Sequence, residues 1–199
     1  DLFGYLLGAS TAKLTKFALA NGRLAPFTTG RSEITVTTQK PEESKQDWTT
    51  RAWCIRAVAV VGDRLVVSSL ADSRLLLFDL ASGEPRGEAP VEKPSGLAVG
   101  PKGELYVVSG NRLGRYDLAA SRFEPITEEL DAPQHLACDA DGNIYVSLQG
   151  KTMQVWKFSP AGKVLQKFGK EGGRPLLGKF DPAGMLNPFG IDRKSTRLN

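Results

Sequence analysis

The chain has 199 residues, 41% of them apolar, with 21 glycines, 12 prolines, a formal net charge of +4 and one histidine. This balance suits an ordinary β-rich domain. It excludes a multi-histidine metal site, and no run approaches the ~18 apolar residues of a membrane-spanning helix.

Taken in chain order, the alternation of apolar and polar residues predicts three strands near positions 3–8, 13–18 and 23–27. Thr28 to Thr50 is polar and of mixed charge, with Ile34-Thr35-Val36-Thr37 as a candidate extra hairpin arm. From there one phrase recurs: a Gly-led turn, an alternating strand, a polar turn, and a second strand ending in an aromatic. It reads Gly62-Asp63-Arg64-Leu65-Val66-Val67-Ser68, then Gly103-Glu104-Leu105-Tyr106-Val107-Val108-Ser109, then Gly142-Asn143-Ile144-Tyr145-Val146-Ser147, with the glycines 41 and 39 residues apart. The second strands close on Phe78-Asp79, Tyr116-Asp117 and Phe158-Ser159. Short apolar runs precede the phrase and begin at a proline: Pro94-Ser95-Gly96-Leu97, Pro133-Gln134-His135-Leu136 and Pro188-Phe189-Gly190-Ile191. Proline suits a strand start, where no ladder N–H is required.

A period near forty residues, filled with short strands, is the signature of a β-propeller blade. The expected fold class is therefore all-β, a propeller of four-stranded blades, incomplete at about four blades of six. The phase divides the chain into a partial first blade (1–27), an insertion (28–52), blades at 53–93, 94–132 and 133–168, a linker (169–187) and the start of a fifth blade (188–192). Because Asp1 falls within the phase of a second strand, the chain is expected to be a fragment. Residues 193–199, Arg-Lys-Ser-Thr-Arg-Leu-Asn, resemble a translated sequencing-adaptor peptide from a metagenome and are expected to be non-native. Without them three cations go, and the charge falls from +4 to 4 − 3 = +1. The remaining charges alternate in sign along the strands, so no nucleic-acid partner is expected.

Pro133 through Gly169, followed by Gly172-Gly173, Gly178-Lys179-Phe180 and Pro188, resembles the NHL repeat and its inter-repeat linker. Quinoprotein and lactonase propellers share much of the pattern. The resemblance implies a ligand- or protein-binding scaffold within a larger bacterial protein, with a protein or small molecule as partner and a periplasmic or secreted address. The alternative is a propeller enzyme, a metal-dependent lactonase-like hydrolase or a quinoprotein-like oxidoreductase, with its ligands in blades outside this chain.

Both long connections join an outermost strand to the next inner strand, and propeller topology puts such connections on one rim. Loops of that length are usually functional or disordered. The candidate binding residues on this rim and channel mouth are Trp53, Arg56, Asp72, Asn111, His135, Lys151 and Phe189. Aromatic and Arg side chains are common anchors of binding surfaces. No catalytic residue, metal site or cofactor is expected. Asp139-Ala140-Asp141-Gly142-Asn143 lacks the later Glu of a calcium loop, since position 150 is Gly150, and reads as a tight turn. Cys54 and Cys138 are expected as unbridged thiols.

Overall fold

The computed structural model describes residues 2–7, 11–18, 20–37, 55–175, 177, 179–188 and 191. All regular elements among them are β-strands, in two compact units, Asp1–Pro94 and Ser95–Asn199.

The first unit holds a three-stranded antiparallel sheet of β1 (Leu2–Leu7), β2 (Thr11–Phe17) and β3 (Glu33–Thr37), in that order. It also holds a four-stranded meander of β4 (Ile55–Val61), β5 (Arg64–Ser69), β6 (Arg74–Asp79) and β7 (Pro85–Pro90). Leu14, Ile34 and Val36 pack with Ile55, Leu65, Val67 and Phe78 to form one core. Burying a side chain of this kind contributes about 1.5–3 kcal/mol.

The third strand differs from the expectation. The segment near 23–27 contributes only a single bridge, Phe17 to Leu24, and the strand that pairs with β2 is Glu33–Thr37, with Leu14 opposite Ile34. Two causes are visible. Pro26 has no N–H to give a ladder, and Phe27 is drawn into the core, 3% exposed. Thr28 N–H then donates to Ala81 O at 2.9 Å and the Thr29 hydroxyl to Ser82 O at 2.9 Å, tying this stretch to the β6–β7 turn instead.

The second unit contains two four-stranded antiparallel meanders. One is β8 (Pro94–Val99), β9 (Leu105–Ser109), β10 (Arg112–Asp117) and β11 (Arg122–Pro125). The other is β12 (Pro133–Cys138), β13 (Ile144–Leu148), β14 (Gln154–Phe158) and β15 (Val164–Phe168). Tyr106, Val108 and Leu113 of the first pack against Ile144, Val146, Leu148 and Phe158 of the second. Gly96 brings the inner strands β8 and β12 together, since a Cβ there would lie 2.5 Å from Gln134 O.

The serine ending the repeated phrase has a structural task. The ladder between β4 and β5 slips between Ile55 and Ala57, and that between β12 and β13 slips between Pro133 and Leu136. A bulge leaves backbone groups without ladder partners. Ser68 Oγ accepts from Ala57 N–H at 2.8 Å, and Ser147 Oγ accepts from His135 N–H at 3.1 Å. Both serines are 0% exposed, so losing either hydroxyl would leave a buried donor unmet.

Candidate functional site

In an antiparallel meander the turn between the first and second strands lies at the end opposite the turn between the second and third. The two ends of the second unit are built differently.

At the first end, carboxylates are consumed by their own turns. Asp139 Oδ1 accepts from the N–H groups of Asp141 at 3.0 Å and Asn143 at 2.8 Å. Its Oδ2 accepts from Tyr145 OH at 3.3 Å and from Lys157 Nζ at 3.1 Å. Partial burial pulls this carboxyl upward, but the bonds from Asn143 and Lys157 outweigh it and hold the group down at about 2. In the neighbouring sheet Glu104 Oε2 accepts from Lys102 N–H at 3.0 Å. Gly142, at φ +82°, closes the Asp139 turn as the sequence required. Burial, with the charges of Asp139 and Glu104, pushes the Cys138 thiol up to about 12, which disfavours its thiolate, and it is unbridged.

At the other end, connectors and turns are stitched to each other. Leu130 N–H donates to Asn111 O at 2.7 Å, and Asp131 Oδ2 accepts from Thr152 N–H at 2.7 Å and its hydroxyl at 2.9 Å. Ala132 and Asn187 adopt φ of +48° and +45° immediately before Pro133 and Pro188. Non-glycine residues in this region carry strain, held here by the surrounding bonds. The connector after β15 folds onto the β13–β14 turn: Gly172 N–H donates to Thr152 O at 3.1 Å, and Gln149 Nε2 to Pro188 O at 3.4 Å. Within it Arg174 N–H donates to Met185 O at 3.0 Å and Lys170 pairs with Asp181 at 3.0 Å. The Arg174 guanidinium lies 5.1 Å from the Phe180 ring centroid. Phe180 is 66% exposed and Leu177 87% exposed.

The sequence-derived residues distribute over this frame as follows. Asn111 and Lys151 sit in turns at the connector end of the second unit, Lys151 exposed beside the Asp131–Thr152 bonds. His135 lies lower, inside β12 at its bulge, with Nε2 shielded from solvent, rather than ahead of the strand. In the first unit Arg56 occupies the β4 bulge, and Asp72 accepts from Ser69 Oγ at 2.6 Å, so that its carboxylate serves the β5–β6 turn. Trp53, Phe189 and Cys54 lie outside the described residues, as do positions 38–52 of the expected insertion and the tail from 192. Sequence reasoning passed over Arg174, Leu177 and Phe180. The signal available was an aromatic and a cation in a Gly- and Pro-rich connector, but exposure is set by folding and cannot be read from composition.

Among the described residues there is no group of three or more His, Cys, Asp or Glu side chains placed to hold a metal, and no helix long and apolar enough to cross a membrane.

No family model matches the sequence, and no curated protein does. Solved structures do. A chain of the nidogen/laminin complex superposes with a TM-score of 0.58 at 11% identity, over 83% of this chain and 61% of that one. Virginiamycin B lyase from Staphylococcus aureus gives 0.54 at 12% identity, over 83% and 54%, and a streptogramin B lyase 0.52 at 11%, over 83% and 53%. The chain thus spans roughly half to three-fifths of these structures. The likeness shows the fold, an NHL-like β-propeller, represented among the described residues by one three-stranded and three four-stranded antiparallel sheets.

Proposed function

We propose that this chain is a binding module that holds a protein or small-molecule partner at the connector end of its sheets. The observation that carries the reading is the connector after β15. It is bonded at two points to the β13–β14 turn, yet it leaves Phe180 and Leu177 in solvent with Arg174 against the Phe180 ring. An ordered aromatic and Arg pair loses little freedom on binding, which is the condition for an energetic anchor. Lys151 and Asn111 lie in turns at the same end of the second unit. The fold supports the reading through nidogen, which is solved in complex with a protein partner.

A photo-crosslinking amino acid placed at position 180 of the intact protein, in extract of its source, tests this. A discrete adduct from position 180, with none from position 102 at the opposite end, is the expected result. Equal labelling from both positions, or labelling from 102 alone, contradicts it.

The second reading is a propeller enzyme, lactonase-like, quinoprotein-like or a lyase, favoured by the likeness to virginiamycin B lyase. It requires turnover by the intact protein that survives loss of Phe180 and Arg174.

A further inference from the structure

From the connector end of the second unit, a cleft of about 560 Å³ runs between the two meanders, a volume within the range of ligand pockets. Its walls include Ile126, Leu130, Trp156, Phe158 and Val164, with Arg112, Glu128 and Glu129 at one mouth.

The cleft opens because β11 stops early. Ile126 N–H makes a last backbone bond to Leu113 O at 2.9 Å, and then a side chain substitutes for the ladder, Thr127 Oγ1 accepting from Leu113 N–H at 3.1 Å. Glu128 and Glu129 follow, exposed, before Leu130 turns back into the core. The far end is closed by the turn after β14, where a Cβ on Gly162 would lie 1.7 Å from Ile126 O.

Trp156 is fixed in place. Its indole N–H donates to Gln154 Oε1 at 2.9 Å, Gln154 Nε2 donates to Gly169 O at 2.7 Å, and Lys167 Nζ lies 3.9 Å from a ring centroid. Beside the cleft runs β15, which among the described residues is an edge strand paired with β14 alone, with Val164 40% and Leu165 49% exposed. An edge carrying apolar residues is a template for another strand. The charge balance at the mouth is one cation against two carboxylates, and the Arg112–Glu129 pair is loose at 3.9 Å with both groups largely exposed. Such a pair gives way readily to a competing cation.

We propose that this cleft docks an extended peptide, which adds as a strand along β15, places one apolar side chain on Trp156 and Ile126, and sets a neighbouring lysine or arginine against Glu128 and Glu129. This is a second site, distinct from the Phe180–Arg174 pair of the connector after β15.

The probes are fluorescein-labelled hexapeptides Thr-Val-X-Lys-Val-Thr, with X valine, leucine, phenylalanine or tryptophan, and the same peptides with glutamate for lysine. Fluorescence polarisation with the full chain is expected to show at least one lysine peptide binding about tenfold tighter than its glutamate counterpart. Glu128→Gln with Glu129→Gln removes that difference, and Val164→Asp, at an exposed position that folding tolerates, weakens both forms about tenfold at an unchanged melting temperature. Phe180→Ala leaves this binding as it was, which separates the site from the connector after β15. Absence of binding across the set, equal affinity for lysine and glutamate peptides, or indifference to Val164→Asp overturns the proposal.

Discussion

The two ends of the second unit use the same kinds of residue for different purposes. At the Asp139 end, polar side chains are turned inward on the backbone: one carboxylate serves Asp141, Asn143, Tyr145 and Lys157 at once. At the connector end the backbone groups are met by other backbone and by Asp131, which leaves Lys151, Leu177 and Phe180 in solvent. A turn that satisfies itself is stable and has nothing left to offer a partner. Side chains become available for recognition where the main chain is supported by something else.

The comparison breaks most visibly at Asp139. Asp139→Ala removes the acceptor of several bonds, some of them to a charged donor, and is expected to cost about 2–3 kcal/mol. Chemical denaturation measures this, and partner binding should be unchanged. A loss below about 0.5 kcal/mol, within the range of ordinary surface substitutions, would mean the turn does not depend on the carboxylate.

The same group makes a prediction about acid. Its carboxyl is held at about 2 in the folded chain, below the ordinary aspartate value of 3.8. A depressed carboxyl gives stability that is present above the unfolded value and lost as pH falls through the folded one. Melting temperature is therefore expected to drop between pH 4 and pH 2, and to drop less steeply in Asp139→Asn. Parallel acid limbs in the two proteins would remove Asp139 as the cause.

On the connector end the effects on stability are smaller. Asp131→Ala loses the two bonds to Thr152 and is expected to cost about 1 kcal/mol, with faster amide exchange confined to residues 149–153. Ala132→Gly removes a Cβ from a residue at φ +48° and should be neutral or stabilising by up to about 1 kcal/mol, against the usual sign of such a change. Destabilisation by Ala132→Gly would show that the strain argument at the connector is wrong.

Much of the fold was legible in the chain because it rests on local rules. Gly62, Gly103 and Gly142 all adopt positive φ, as tight turns after a strand demand, and the strands between them alternate with period two. What escaped was non-local. The strand near 23–27 gave way to Glu33–Thr37 because Phe27 found burial beneath a turn far along the chain, a contact that no window of sequence contains. The bulges at Arg56 and His135 were equally hidden, although the serines that repair them stood in the repeated phrase. The candidate site was legible only in part. Its turns follow from topology, which placed Asn111 and Lys151 at one end, whereas Phe180 and Arg174 owe their exposure and pairing to how a long connector folds back.

The central claim is that recognition belongs to the connector end. Its most direct test is the dissociation constant of the partner captured at position 180, measured for Phe180→Ala and for Lys102→Ala in the intact protein. The account predicts about tenfold or greater weakening for Phe180→Ala and less than about twofold for Lys102→Ala, both variants melting as the parent does. Weakening by Lys102→Ala with unchanged binding by Phe180→Ala would assign recognition to the Asp139 end and contradict it.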